Sequence, residues 1–247
     1  MFTFSKQVIA IGMENLYIVM PAYNEQKNIQ EVIEEWHPIV QKISNNSRLV
    51  IVNDGSKDST YEKMLSLQEK FPLLIPLTKP NSGHGTTCLY AYKAAITEQA
   101  SWIFQTDSDG QTDPNDFWQF WDKRDEYDFL IGNRKNRMDG SIRVFVTKIL
   151  KLVIFIIFRL NIPDANTPFR LMKTSKLKVL LEKIPNDSFL ANVFISVLAV
   201  HGNISRCTFP TISFKPRRGG VNSINLKHIM KIGIKAVSEF KDLKKVI

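Results

Sequence analysis

From residue 16 to residue 131 the sequence repeats one unit: a short apolar run, a polar turn, then apolar residues recurring at helical spacing. The runs of strand length cover 16–20 (stopped by Pro21), 48–53, 73–77, 102–106 and 127–131. Asn24 is positioned to cap a helix whose apolar positions are Ile29, Val32, Ile33, Trp36 and Val40. Further helices are predicted over about 58–70, from the Gly83-His84-Gly85 turn through 100, and over 113–125. Strands alternating with helices specify an α/β fold, a mostly parallel sheet with helices on both faces. Pro76 cannot donate to a ladder, so 73–77 is expected at a sheet edge. At 247 residues the chain is long enough to bury a full core as one large domain.

Ligands of such sheets bind beyond the carboxyl ends of the strands. Four of those ends carry polar residues: Pro21-Ala22-Tyr23-Asn24-Glu25, Asn53-Asp54-Gly55-Ser56, Asn81-Ser82-Gly83-His84-Gly85 and Asp107-Ser108-Asp109. Each alone also reads as ordinary structure, a helix cap at Asn24, a plain turn at Asn53, a tight turn permitted by Gly83 and Gly85, a loop histidine at His84. Scattered turns do not fall at successive strand ends, so the four are expected to converge on one site. Alternate residues of an extended backbone face the same way, so Asp107 and Asp109 address a common ligand, Ser108 faces away, and Gln111 adds a neutral oxygen. The ligand that suits this oxygen set is a hard cation, Mg²⁺ or Mn²⁺, bridging carboxylates to a nucleotide's phosphates. A solvated Asp-rich turn would use the same residues.

The net charge of +9 is concentrated in two blocks. Residues 215–247 hold nine Lys or Arg against Glu239 and Asp242, and residues 134–159 hold seven against Asp139, so the remainder of the chain is mildly acidic. A basic, apolar half joined to an acidic one points to a polyanionic surface, nucleic acid or an anionic membrane. Neither block carries a nucleic-acid reading motif, and the aromatic residues lie in apolar runs, so no nucleic-acid partner is expected. Cys88 and Cys207 lack zinc or disulfide spacing, and the first residues show no cleavable signal pattern; the expected setting is cytoplasmic.

The four ordered motifs resemble those of family-2 glycosyltransferases, and within that family the dolichyl- and polyprenyl-phosphate branch. The resemblance extends through Gly132-Asn133-Arg134, Asp164 with Phe169-Arg170, and Arg217-Arg218-Gly219-Gly220-Val221-Asn222-Ser223, covering residues 16–224. It implies a GT-A fold, Rossmann-like, that binds a UDP- or GDP-sugar at the strand ends with a divalent cation on the diphosphate. By position, Pro21, Tyr23, Glu25 and Asp54 would hold base and ribose, with Gly83 and His84 beside them. Asp107 would lie near ribose and metal, with Asp109 and Gln111 as metal ligands. Arg134 and Arg143 would meet acceptor phosphate, and Arg217 or Arg218 the donor diphosphate. Asn53 stands where the family more often has Asp, and Asn133 where it more often has Ser, which leaves the nucleotide open.

Residues 1–15 read as an N-terminal extension, 16–224 as the transferase domain, and 225–247 as a basic amphipathic helix with Leu226, Ile229, Met230, Gly233, Val237 and Phe240 on its apolar side. The stretch 142–160 is the most apolar, yet its uninterrupted core is too short to span a bilayer and Lys148, Lys151 and Arg159 punctuate it. It reads either as an interfacial helix at the cytoplasmic membrane face or as a buried core segment. A sugar-hydroxyl acceptor needs a carboxylate base, and around 185–194 there is Asp187 but no acidic pair. A polyprenyl phosphate is already an anion and needs none. The expectation is therefore an inverting, metal-dependent transfer to polyprenyl phosphate. Its rivals are transfer to a glycan hydroxyl in cell-surface polysaccharide synthesis, with Asp187 or Asp164 as base, and a silent nucleotide-binding scaffold.

Overall fold

The computed structural model of the protein describes residues 14–135, 141–203, 205–215 and 226–245, without the side chains of 141–145, 203 and 226–235. Residues 1–13 of the expected extension, Arg217 and Arg218, and the side chains of Arg143, Lys227, Lys231 and Lys235 lie outside the described residues.

Strand β1 (Leu16–Ala22) is followed by helix α1 (Ile29–Ile43), β2 (Arg48–Asp54), α2 (Thr60–Ser66), β3 (Leu74–Lys79), α3 (His84–Thr97) and β4 (Trp102–Gln105). These four strands lie parallel in the order β3-β2-β1-β4, with Pro76 on the outer strand as its missing N–H requires. A single-turn 3₁₀ helix (Pro114–Asp116) leads into α4 (Phe117–Trp121), then come β5 (Phe129–Ile131) and β6 (Asn133–Arg134). After α5 (Ser141–Phe158), β7 (Arg170–Lys173) enters antiparallel between β4 and β5, so the seven-stranded sheet is mixed at that side. Helices α6 (Thr174–Leu181) and α7 (Ala191–Val200) follow, then β8 (Cys207–Thr208) beside β5, β9 (Thr211–Ile212) beside β6, and α8 (Leu226–Lys245).

β1 is buried along its whole length, which is why its sequence is a continuous apolar run. Leu16, Ile18 and Met20 face one layer with α1 and α4, where Trp36 stacks on Phe104 at 5.5 Å and Phe104 meets Phe169 at 4.7 Å. Tyr17 and Val19 face the other layer, with α3, α7 and the buried sides of α5 and α8. Helices therefore cover both faces.

Several local expectations shift. β1 runs through Pro21 because the β1–β4 ladder ends at Val19 opposite Gln105, and only β2 accompanies Pro21. Asn24 does not cap α1, which starts after Asn28; at φ +56° it is a loop residue. The predicted helices are longer than the observed α2, α3 and α4, and α3 ends before Gln99, whose φ is +58°. In α8 the buried side is Ala236, Phe240 and Leu243, while Val237 is exposed. Phe240 packs edge-on to Phe158 of α5 and against Phe194 of α7, each at 5.7 Å. Among the described residues no helix is long and apolar enough to cross a membrane.

Candidate functional site

The carboxyl ends of β1, β2 and β4 open into one cleft of about 690 Å³. Pro21, Tyr23 and Glu25 line it from β1, Asp54 from β2, and Asp107, Asp109 and Gln111 from β4. Gly83 and His84, at the start of α3, and Arg134 of β6 also line it, while Arg143, Arg217 and Arg218 of the set that sequence reasoning singled out fall outside the described side chains. Parallel strands put all their carboxyl ends on one edge, so motifs separated by some thirty residues become neighbours.

The loops are tied to each other. Asn24 N–H donates to Ser56 Oγ at 2.9 Å and Lys57 N–H donates to Asn24 Oδ1 at 2.8 Å, joining the β1 and β2 ends. The Glu25 backbone N–H donates to Thr60 Oγ1 at 2.9 Å, and its buried carboxylate accepts from Asn28 Nδ2 at 2.6 Å. Asp54 accepts from Lys79 Nζ and from the Ser82 and Gly83 N–H groups, both at 2.9 Å. Burial works to raise the Asp54 carboxyl, but Lys79, Ser82 N–H and Thr87 outweigh it and hold it below its ordinary value. Gly83, at φ +90°, makes the turn into α3. At Gly85 a Cβ would lie 2.4 Å from the Phe189 carbonyl oxygen, so only glycine lets the first turn of α3 approach that segment.

After β4, buried Ser108 donates to the Pro21 carbonyl at 2.8 Å, and Asp107, Ser108 and Asp109 all line the cleft, so Ser108 is not set apart from the two aspartates as alternation predicts. Asp107 Oδ1 lies 3.0 Å from His84 Nε2 and accepts from Gln105 Nε2 at 3.2 Å. Desolvation opposes ionisation of Asp107, but the charge and hydrogen bond of His84, then Arg134 and Arg170, keep its carboxyl below the ordinary value. The sulfur of Cys88, 3.8 Å from Nδ1, and the Asp107 carboxylate raise the His84 imidazole well above its ordinary value despite desolvation. Asp109 Oδ1 accepts from Gln111 N–H at 3.1 Å around Gly110. Gln111 is clamped to the segment after β9, donating Nε2 to Lys215 O at 3.0 Å and accepting Lys215 N–H at 2.7 Å.

Arg134 is engaged by Asp164, with Nε to Oδ2 at 2.6 Å and Nη2 to Oδ1 at 3.0 Å, and its guanidinium lies over the Phe214 ring at 5.0 Å. Asp164 is thus a tied counter-ion. Asp187 is exposed and is not among the residues lining the cleft. Asn81, from a motif expected to converge here, lines the cleft; Phe214 and Lys79 were not foreseen: Phe214 lines the cleft, and Lys79 neutralises Asp54. Nothing in local spacing marks Phe214, which reaches the cleft only because it bridges Thr112.

A family model described as glycosyl transferase family 2 matches residues 17–181. A UDP-N-acetylglucosamine–dolichyl-phosphate N-acetylglucosaminyltransferase of Methanococcus voltae is 26% identical over 189 residues, covering 68% of this chain and 73% of that protein. A dolichyl-phosphate β-glucosyltransferase of Trichomonas vaginalis is 28% identical over 184 residues, covering 66% and 54%. An undecaprenyl-phosphate 4-deoxy-4-formamido-L-arabinose transferase of Salmonella choleraesuis is 26% identical over 148 residues, covering 59% and 44%. The chain thus spans only about half the length of the last two. Among solved structures, glucosyl-3-phosphoglycerate synthase of Mycobacterium tuberculosis, in complex with Mn²⁺, UDP and glucosyl-3-phosphoglycerate, has a TM-score of 0.70 at 14% identity, over 94% of this chain and 80% of that one. At that identity the likeness speaks to the fold.

Proposed function

This chain belongs to glycosyl transferase family 2 and is a glycosyltransferase, and from that premise we propose that it transfers a sugar, with inversion, from a UDP- or GDP-sugar to a polyprenyl phosphate. The observation that carries the reading is the convergence of Tyr23, Glu25, Asp54, His84, Asp107, Asp109, Gln111 and Arg134 on one cleft. Tyr23, 43% exposed at the rim, offers a ring to the base, and Pro21, Glu25 and Asp54 shape the base and ribose end.

Asp107, Asp109 and Gln111 suit Mg²⁺ or Mn²⁺. Gln111 commits its amide nitrogen to Lys215 O, so its side-chain oxygen would be the atom offered to a cation. Among the described residues no group of three His, Cys, Asp or Glu is arranged to hold a metal; the proposed cation would draw its remaining ligands from the donor diphosphate. When bound, that cation neutralises the charge that develops on the departing nucleoside diphosphate. Arg134, and by resemblance Arg143, would orient the acceptor phosphate, one oxygen of which attacks the anomeric carbon as the bond from that carbon to the diphosphate oxygen breaks. No proton has to be removed. The condition of Asp164, held in an ion pair, and of Asp187, exposed and not lining the cleft, supports this over a hydroxyl acceptor.

The acceptor is a membrane lipid, and α5 suits a lipid surface. Val146, Ile149, Leu152, Phe155 and Ile156 are exposed along it beside exposed Lys148 and Lys151, while Ile154 and Phe158 anchor its other side in the core. Peripheral attachment at the cytoplasmic membrane face follows from this reading.

Purified protein incubated with a panel of UDP- and GDP-sugars and a short polyprenyl phosphate should form a glycolipid detectable by mass spectrometry. Chelator, or Asp109→Ala in a protein that still melts cooperatively, should lower the rate by on the order of 100-fold or more. Transfer to a glycan hydroxyl with none to polyprenyl phosphate would overturn the acceptor, and full activity in chelator would overturn the cation.

A further inference from the structure

We infer that Asp164 is a positioning residue that holds Arg134 off the carboxylates of Asp107 and Asp109, so that one cleft can take a cation and an anionic acceptor together. The inference rests on the reading of Asp107 and Asp109 as cation ligands.

The cleft contains a potential short circuit. Arg134 and the two aspartates line the same space, and a guanidinium is as good a partner for a carboxylate as a divalent cation is. What keeps the arginine in place is on its other side. Asp164 takes Nε and Nη2 side-on, Asn166 O accepts from Nη2 at 3.3 Å, and Phe214 fixes the plane of the group. Both side chains of the pair are under a tenth exposed, so an unpaired charge at either position would be costly and would seek another partner. Nη1 is the end of the fork that the Asp164 pair does not use.

The loop that carries Asp164 is itself tied down. It presents the carbonyls of Ala165 and Thr167 to Arg170, which is fully buried and also donates to Asn192 O at 2.9 Å. The loop is therefore pinned to β7 and α7, and the Asp164 carboxylate is delivered to Arg134 as a fixed counter-ion. Without its charge, the carboxylates that share the cleft with Arg134 include those proposed to bind the cation.

The test is a cation-binding cycle that does not depend on turnover. Mn²⁺ binding in the presence of nucleoside diphosphate is measured by calorimetry and by the loss of the free Mn²⁺ paramagnetic resonance signal. Asp164→Asn should weaken Mn²⁺ binding about tenfold, in the range that outer-shell partners usually carry. Arg134→Gln should leave it near wild type, and the double variant should return to the value of Arg134→Gln alone. A merely structural role predicts the opposite, because removing the arginine would not rescue the cation. If either single variant does not fold, the double variant compared with the wild type carries the test, weaker Mn²⁺ binding in it overturning the inference, since a buried ion pair replaced on both sides is tolerated far better than one cut on one side. Wild-type affinity in a folded Asp164→Asn, or a double variant weaker than Arg134→Gln, overturns the inference. Absence of Mn²⁺ binding by the wild type would instead overturn the cation reading on which it rests.

Discussion

His37 is 4% exposed on α1, and its Nε2 accepts a hydrogen bond from the Leu73 N–H at 3.2 Å, which ties the helix to the entry of β3. Burial lowers its imidazole below the ordinary value of 6.5. The unfolded chain therefore takes the proton first as pH falls. Its contribution to stability is full above about 6.5 and is lost progressively below it, as the buried ring is forced to protonate. Urea midpoints at pH 7.5 and 5.5 should show a drop for wild type that is smaller in His37→Gln; equal drops would remove His37 from the account. Asn24 makes a related point about single positions. Its left-handed backbone and its bonds to Ser56 and Lys57 fix two strand-end loops against each other, a job that no helix cap does.

Among the elements, α5 carries an unusual share of the exposed large apolar side chains, at spacings of three and four that form a stripe. A stripe flanked by Lys148 and Lys151 should bind anionic vesicles at low salt and neutral ones much less. With roughly 1 kcal/mol for each basic residue near such a surface, Lys148→Gln with Lys151→Gln should weaken binding by about 30-fold. Phe155→Ser should weaken it on both kinds of vesicle. Sedimentation with liposomes measures both, and equal binding of wild type to neutral and anionic vesicles would make α5 an ordinary surface helix.

For the whole molecule, α8 matters as part of the core and not as a tail. Ala236, Phe240 and Leu243 are buried with the residues of α5 and α7 in the layer beneath the sheet, and Ser188 donates to Glu239 at 2.8 Å. Phe240→Ala should cost about 3–5 kcal/mol, the range for a fully buried phenylalanine, in a single cooperative denaturation. Two separate transitions, or a loss below about 1 kcal/mol, would mean that α8 is a dispensable appendage.

The sequence alone determined what depends on near neighbours along the chain. Apolar periodicity tells which segments are strands or helices and which are buried on both sides, and alternation of strand with helix leaves a parallel sheet whose carboxyl ends share one edge. That is why Tyr23, Asp54, His84 and Asp107 could be assigned to one cleft before any contact was known. Tertiary structure decided the partners. Arg134 finds Asp164 thirty positions away, and Gln111 finds Lys215 across 104. β7 inserts antiparallel beside β4, and α8 turns Ala236 and Leu243 inward in place of Val237. Periodicity fixes which side of a segment avoids water. It does not specify which distant segment supplies the cover or the counter-charge, because those energies exist only once the chain has closed the loops between them.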